Sequence, residues 1–103
     1  MGNQMKKPEE CSDIHEIRCE IDRLDHEIIV AMGRRRPYVK AASKLKTDEA
    51  GVKAPDRVSS MLLKRRAWAV EEGLDPDLIE KIYRDLVTYF INEELTYFRS
   101  LQK

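Results

Sequence analysis

The stretch IHEIRCEIDRLDHEIIVAMGRRRPYVKAASKLK, residues 14–46, decides the fold. Its apolar residues recur every three or four positions, which is the spacing of an amphipathic helix. Asp13 and Glu16 have the spacing of a capping box, which places the start of this helix at residue 13. Over residues 13–46 such a helix would extend for roughly 50 Å, too long for a compact three-helix monomer. The apolar positions are Ile14, Ile17, Ile21, Leu24, Ile28, Met32, Val39, Ala42 and Leu45.

Two further helices are predicted from their end signals. The segment TDEAGVKA, residues 47–54, breaks the periodicity and reads as a loop. Pro55 suits the first position of a second helix over 55–72, with Gly73 as its stop signal. A third helix, over 75–101, follows with Asp75 as its N-cap and Pro76 at its first position. Residues 1–10 are an N-terminal extension, and 1–103 form a single domain.

The composition favours an all-α protein. Hydrophobic residues make up 42% and charged residues 37% of the chain, with only four Gly and four Pro, a mixture typical of helices with wide solvated faces. The apolar stripes of the first and third helices outrun the short second helix. We therefore expect an intertwined homodimer in which the long helices of two chains pack along each other.

The charge balance argues against two classes of partner. The chain has 19 basic and 19 acidic residues, whereas nucleic-acid and membrane-surface binders normally carry a basic excess.

An apolar run of 18 residues and a signal peptide are also missing from the sequence, so we expect a cytoplasmic protein. Cys11 and Cys19 lie too far apart along one straight helix for a disulfide, and free thiols suit that compartment.

Charged residues interrupt the apolar seam of the long helix. Steps of four and three from Ile14 place three cations and one carboxylate on positions that should be apolar. The same stepping along the third helix from Ile79 arrives at Glu94. Because an unpaired buried charge costs several kcal/mol, these residues need partners or a ligand. The seam charges of the long helix are Arg18, Asp25, Arg35 and Lys46.

Two interpretations of these charges stay open at this point. In the first they are structural, with Arg18 paired to Asp22 or Asp25. In the second they form an inward cationic pocket, which Arg57 at the start of the second helix would join. Such a pocket suits a small dianion, because guanidinium groups bind carboxylates through two parallel hydrogen bonds.

Pro37 interrupts the same helix. A proline inside a helix removes one hydrogen bond and normally bends the rod. The sequence therefore predicts either a bent first helix or a first helix divided into two segments.

The sequence also resembles a known family. IRCEIDRLDHEII and GRRRPYVKAASKLK are similar to the first helix of the all-helical chorismate mutases, and RAWAVEEGLDPDLIEKIY and YFINEELTYFR continue the likeness. KTDEAGVKAPDRVSSML resembles more narrowly the isochorismate-pyruvate lyases, a branch of that fold. The resemblance covers about Lys7 to Leu101. It implies the chorismate mutase type II fold, an intertwined helical homodimer with two equivalent active sites.

The resemblance implies a role for each seam cation. Arg18 would enter the active site from the partner chain, whereas Arg35, Lys46 at the lid loop (47–54) and Arg57 would come from the same chain. Arg18 and Arg35 would bind carboxylates, and Lys46 would reach the ether oxygen and the adjacent carboxylate of the substrate. Arg57 would order the lid and hold the anionic side of the substrate. Lys46, Arg35 and Glu94 are the catalytic candidates.

The implied reaction is pericyclic and needs neither a metal nor an organic cofactor. The expected activity converts isochorismate to salicylate and pyruvate, with a secondary conversion of chorismate to prephenate. The alternative is a monofunctional chorismate mutase of aromatic amino-acid biosynthesis. Both activities use a dianionic small-molecule substrate.

Glu94 departs from the family pattern, which commonly has Gln at this position. A Gln amide donates a hydrogen bond at any pH, whereas a carboxyl group donates only when it is protonated. An ionised Glu94 would repel the substrate and pair with Lys46. We therefore expect the activity to rise toward acidic pH.

Three other functions fit parts of the sequence less well. A zinc site would need ligands around the metal, but the available side chains lie along one helical face. A helix-turn-helix DNA-binding protein needs a tighter turn than residues 47–54 and a basic excess. A helical dimerisation module, in which the seam charges only fix the register, is the non-enzymatic alternative. The side chains considered for zinc are Cys11, His15, Cys19, Asp22 and His26.

Overall fold

The computed structural model describes residues 5–101, and in that range every regular element is helical. A single turn of 3₁₀ helix at Pro8–Glu10 precedes the first α-helix. The prediction of an all-α protein is confirmed. The four α-helices are α1 (Ile14–Ser43), α2 (Glu49–Lys53), α3 (Pro55–Glu71) and α4 (Pro76–Ser100).

The described residues divide into two compact units, one up to Tyr38 and one from Val39 onward. Helix α1 begins in the first unit and ends in the second. The single domain expected over residues 1–103 stays a prediction.

Polar side chains fix the start of α1. The Asp13 carboxylate accepts a hydrogen bond from the Glu16 backbone N–H at 2.9 Å, which is half of the predicted capping box. The other half uses a different residue, because the Glu16 carboxylate accepts from the N–H and the hydroxyl of Ser12, each at 2.7 Å. Lys6 forms an ion pair with the same carboxylate. Glu16 thus joins the N-terminal segment to the first turn.

The apolar face of α1 is exposed. No residue of this 30-residue helix is buried, although its apolar positions follow the predicted spacing. The large exposed side chains between residues 14 and 28 are Ile14, Ile17, Ile21, Leu24 and Ile28. The seam that the sequence predicts to be buried is therefore exposed within residues 5–101.

Helix α1 ends at Ser43, three residues before the predicted end at Lys46. The helical pattern of hydrogen bonds tightens there: the N–H of Leu45 donates to the Ala42 carbonyl at 3.1 Å and that of Lys46 to the Ser43 carbonyl at 3.2 Å. These bonds span three residues rather than four, so the chain turns out of the helix. Leu45, expected in the apolar stripe, is exposed as a result.

Pro37 lies inside α1, and the helix continues through it to Ser43. The predicted alternative of a first helix divided into two segments is therefore wrong. Pro37 has no N–H to donate to the carbonyl of Gly33, four residues earlier.

The segment predicted as a loop over 47–54 contains the five-residue helix α2. Asp48 caps it by accepting from the Gly51 N–H at 2.7 Å, and Val52 is buried with only 2% of its surface exposed. The loop prediction was wrong because a helix this short depends on such tertiary contacts, which leave no periodic pattern in the sequence.

One residue connects α2 to α3. Ala54 adopts left-handed backbone angles, with φ 39° and ψ 60°, at a cost of about 1–2 kcal/mol for a residue with a Cβ atom. Its N–H donates to the Ala50 carbonyl at 2.9 Å, and its carbonyl accepts from the Val58 N–H at 3.0 Å. Ala54 therefore ends one helix and begins the next.

Helices α3 and α4 pack together and form the core of the second unit. Met61 and Leu62 of α3 are buried against Val87 of α4. The turn between them is a Schellman motif around Gly73 (φ 73°), in which the Leu74 N–H donates to the Ala69 carbonyl at 2.8 Å. The partly buried residues around this core are Val58, Tyr83 and Ile91.

The signals predicted at the start of the third helix are confirmed. Asp75 is the N-cap of α4 and accepts from the Asp77 N–H at 2.9 Å, and Pro76 is the first helical residue. Arg66 at the end of α3 reaches Asp77 and Glu80 on α4 at 2.9 and 3.0 Å. Within residues 5–101, no helix combines the length and the apolar character needed to cross a membrane.

The start of α1 should depend on pH through Glu16. The hydrogen bond from Lys6, followed by those from the N–H and hydroxyl of Ser12, lowers the pKa of the Glu16 carboxyl from an ordinary value of 4.5 to about 2. Because the folded pKa is lower than the unfolded one, the stabilisation is present above pH 4.5 and disappears as the pH falls through about 2. An NMR titration of the Glu16 carboxyl should give a midpoint near pH 2. As the pH falls through that value, amide exchange at residues 14–17 should become faster.

The Glu16→Gln variant serves as the control, since it keeps the shape of the side chain without the charge. Amide exchange at residues 14–17 should then show no pH-dependent step between 4.5 and 2. A midpoint near 4.5 in the parent protein would contradict the ion-paired geometry.

Candidate active site

An ion pair joins two of the predicted catalytic residues. The Lys46 ammonium group donates to Oε2 of Glu94 at 3.1 Å. The two residues are 48 positions apart in the sequence, and their side chains are only 25% and 10% exposed. This is the pairing expected for an ionised Glu94. It is shielded enough from water for its electrostatic attraction to exceed that of an exposed pair.

Helix α4 places Glu94 at the end of its buried face. Val87 belongs to the core, and Ile91 packs against it. Glu94 follows Ile91 by three residues, about one helical turn. The neighbouring Leu95 is also buried. A rigid packed helix thus holds the carboxylate where little of it is exposed to solvent.

The position of Lys46 is set by the turn after α1 and by α2. Its backbone N–H bonds to the Ser43 carbonyl, and its aliphatic stem lies against the backbone of Gly51. A Cβ atom at Gly51 would be 3.7 Å from Cβ of Lys46 and 3.2 Å from Oδ1 of Asp48. A side chain at position 51 would therefore crowd both Lys46 and the N-cap of α2.

The other predicted cations lie on α1 and α3. Arg57 lies in the first turn of α3 and is exposed. Arg18 and Arg35 belong to the unit that ends at Tyr38, where Arg18 is exposed and Arg35 is partly buried. Among the five predicted site residues, an ion pair joins Lys46 to Glu94.

Arg18 and Arg35 are far apart on their own helix. They are 17 positions apart on α1, which corresponds to about 25 Å along the helix axis. An arginine side chain extends only about 6–7 Å from its backbone, on the scale of a half helix diameter. One small substrate could not contact both residues of the same chain.

A second long-range ion pair was missed by sequence reasoning. Arg99 near the end of α4 donates from Nε to Oε2 of Glu49 at 2.9 Å and from Nη2 to Oε1 at 2.8 Å. These bonds lower the pKa of the Glu49 carboxyl below its ordinary value. The residues are 50 positions apart, so no local pattern links them. The local signal in the sequence is Asp48 followed by Glu49, a combination that is common at the start of a helix and that points to α2.

Metal ligands do not cluster in the part of the chain that is described. Across residues 5–101, no three His, Cys, Asp or Glu side chains come together as a group that could hold a metal ion. Cys11 and Cys19 are both free thiols.

A comparison with protein families identifies the family of the chain. The family model for chorismate mutase type II matches residues 17–95. The chain belongs to the chorismate mutase type II family. The matched range includes all five predicted site residues, Arg18, Arg35, Lys46, Arg57 and Glu94, and Glu49 as well. Arg99 lies beyond it.

Two curated relatives place the chain within the chorismate mutase type II family. It is 45% identical over 95 residues to the isochorismate pyruvate lyase of Pseudomonas aeruginosa, an alignment that covers 92% of this chain and 94% of that protein. It is also 36% identical over 72 residues to the T-protein of Haemophilus influenzae, which covers 69% of this chain and 19% of that protein. The first likeness extends over nearly the whole of both chains. The second concerns one part of a much longer protein.

Proposed function

We propose that this enzyme converts isochorismate to salicylate and pyruvate and, as a secondary activity, chorismate to prephenate. The observation that carries the proposal is the 45% identity to an isochorismate pyruvate lyase along almost the full length of both chains. The shielded Lys46–Glu94 pair supports it, because it brings a cation and a carboxyl group to one place. A monofunctional chorismate mutase is the alternative within the same family.

The proposed lyase reaction moves atoms only within the substrate. A hydrogen leaves the hydroxyl-bearing ring carbon and joins the methylene carbon of the enolpyruvyl group, while the bond between the ring and the ether oxygen breaks. The ether oxygen becomes the keto oxygen of pyruvate, and the ring becomes the aromatic ring of salicylate. We propose neither a metal nor an organic cofactor, since no external nucleophile or electron carrier enters the balance.

The enzyme must then bind one reactive conformer and stabilise the charge that develops on the ether oxygen. Arg18 and Arg35 would bind the two carboxylates through paired hydrogen bonds. Lys46 would donate to the ether oxygen, and Arg57 would hold the anionic side of the substrate near the lid. A rate gain of about 10⁶ corresponds to roughly 8 kcal/mol, a size that a few preorganised charged contacts can supply.

In this proposal, the protonation state of Glu94 determines whether Lys46 can bind the substrate. In the observed pair the Lys46 ammonium is already bonded to a carboxylate, and a dianionic substrate must compete with that carboxylate. A protonated Glu94 releases Lys46 and gains an O–H group that can donate to the substrate. The protonated form is therefore the active one in this proposal.

We also propose that the active enzyme is an intertwined homodimer. The exposed apolar residues of α1 recur in steps of three and four, the pattern of a helix that packs against another helix. A second copy offers the same stripe and could cover it over its whole length. The 25 Å separation of Arg18 from Arg35 supports the same conclusion, because a site that uses both needs Arg18 from the partner chain. Such a dimer would work in the cytoplasm.

The activity is tested with the purified protein and each substrate separately. Incubation with isochorismate should release salicylate, followed by its fluorescence, faster than incubation with chorismate produces prephenate. Rapid prephenate formation with no enzyme-dependent salicylate would favour the mutase alternative. Turnover of neither substrate would leave the seam cations as structural residues of a dimerisation module.

Glu94 gives a second prediction. In the parent enzyme, kcat/KM for isochorismate should be higher at pH 5 than at pH 7.5, because protonation of Glu94 frees Lys46. The Glu94→Gln variant should show a flat profile between these pH values, since an amide donates at both. A flat profile in the parent enzyme would disprove the proposed role of the proton.

The shared site is tested by mixing two inactive variants, Arg18→Ala and Arg35→Ala. Each should lose at least about 100-fold in kcat/KM, because a charged bidentate contact to the substrate is removed. After denaturation and refolding together in equal amounts, half of the dimers are mixed, and each mixed dimer has one intact site. Activity should return to about a quarter of the parent value.

Refolding of each variant alone is the control, and neither should recover. If Arg18 and Arg35 of the same chain served one site, the mixture would remain inactive. That result would contradict the proposed contribution of Arg18 across the interface.

A further inference from the structure

The segment that carries Lys46 is attached to α4 at two points. Lys46 bonds to Glu94 at 3.1 Å, and Glu49, three residues further along, bonds to Arg99 through two hydrogen bonds of 2.8 and 2.9 Å. Glu94 and Arg99 are five residues apart on the same helix, about 7.5 Å along its axis. The two ion pairs thus join one short segment to α4 at two levels along the helix axis.

The two attachments have opposite charge arrangements. At the first attachment, the segment 46–49 contributes the cation Lys46 and α4 contributes the carboxylate of Glu94. At the second attachment, the same segment contributes the carboxylate of Glu49 and α4 contributes the guanidinium of Arg99. An incoming dianion competes for Lys46 at the first attachment. It has no cation of its own with which to displace Arg99 from Glu49.

Helix α2 needs the second attachment more than a longer helix would. Five residues form barely more than one turn, and a helix of that length is unstable on its own. Within the second unit, Val52 is buried and Asp48 caps the first turn. The bidentate pair adds an attachment in the first turn, since Glu49 is the first residue of α2. Gly51, in the same helix, lies against the stem of Lys46.

From this geometry we infer that the Arg99–Glu49 pair positions Lys46 for the reaction by keeping α2 on α4 while Lys46 transfers from Glu94 to the substrate. Arg99 and Glu49 are positioning residues and do not touch the substrate. The catalytic consequence rests on the proposed function, whereas the attachment of α2 does not. Without this pair, release of Lys46 from Glu94 would also release the first turn of α2.

The inference is tested with Glu49→Gln, Arg99→Gln and the double variant. Each single variant should speed amide hydrogen exchange at Gly51 and Val52 and lower kcat for isochorismate by about three- to fivefold, the size expected for one exposed ion pair. KM should change less than kcat, because the arginines that bind the carboxylates are untouched. The double variant should be no worse than either single variant, since both changes remove the same interaction.

Arg84→Gln is the matched control. Arg84 is also on α4, is also ion-paired, with Glu80 at 2.8 Å, and its side chain is 59% exposed against 57% for Arg99. Its removal should change neither the exchange of α2 nor kcat. The conservative Arg99→Lys variant keeps the charge but not the fork, and should recover part of the lost kcat.

The outcomes separate this inference from the proposed function. Unchanged exchange at Gly51 and Val52 in both single variants would overturn the attachment, whatever the activity. Faster exchange with unchanged kcat in an active enzyme would overturn the positioning of Lys46. Additive losses in the double variant would show that Glu49 and Arg99 act independently and would also overturn it. If the parent protein turns over neither isochorismate nor chorismate, the proposed function fails, and amide exchange still decides whether the pair attaches α2.

Discussion

The apolar face of α1 is exposed within residues 5–101, and the rest of the structure depends on this constraint. All the buried residues of the described chain lie beyond Tyr38, in the unit formed by the end of α1 and by α2, α3 and α4. A helix of 30 residues with an exposed apolar stripe is not a stable end state in water, because exposed area of this kind favours association. The same face carries Arg18 and Arg35. Whatever covers the stripe therefore also determines what surrounds these two cations.

In the second unit, the charge of the partly shielded Lys46 has to be stabilised before any substrate binds. A lysine with no counter-charge in a partly shielded position would lose hydration without compensation. Glu94 supplies the missing negative charge and is itself only 10% exposed. The pair is therefore stable in the absence of substrate, and in the proposed function the substrate replaces Glu94 as the partner of Lys46. An amide at position 94 would leave Lys46 without that counter-charge but would not compete with the substrate.

Local chemistry explains which parts of this fold the sequence predicts. Asp75, Pro76 and Gly73 act through their own backbone neighbours, so the turn between α3 and α4 was predictable. Helix α2 was not, because its stability comes from Val52 and from contacts with α4 that no periodicity records. The Lys46–Glu94 contact was anticipated through the family resemblance, which supplied a spatial relation across 48 positions. The Glu49–Arg99 contact was not, since it had neither a local pattern nor a family position behind it.

Ala54 limits how this protein can vary in length. Its carbonyl and its N–H are both committed, one to each neighbouring helix, so α2 and α3 share a single connecting residue. One inserted residue there would separate these two bonds and shift Glu49 and Val52 of α2 relative to α3. Insertions and deletions among natural relatives, and any grafted sequence, are therefore not expected at the junction of α2 with α3.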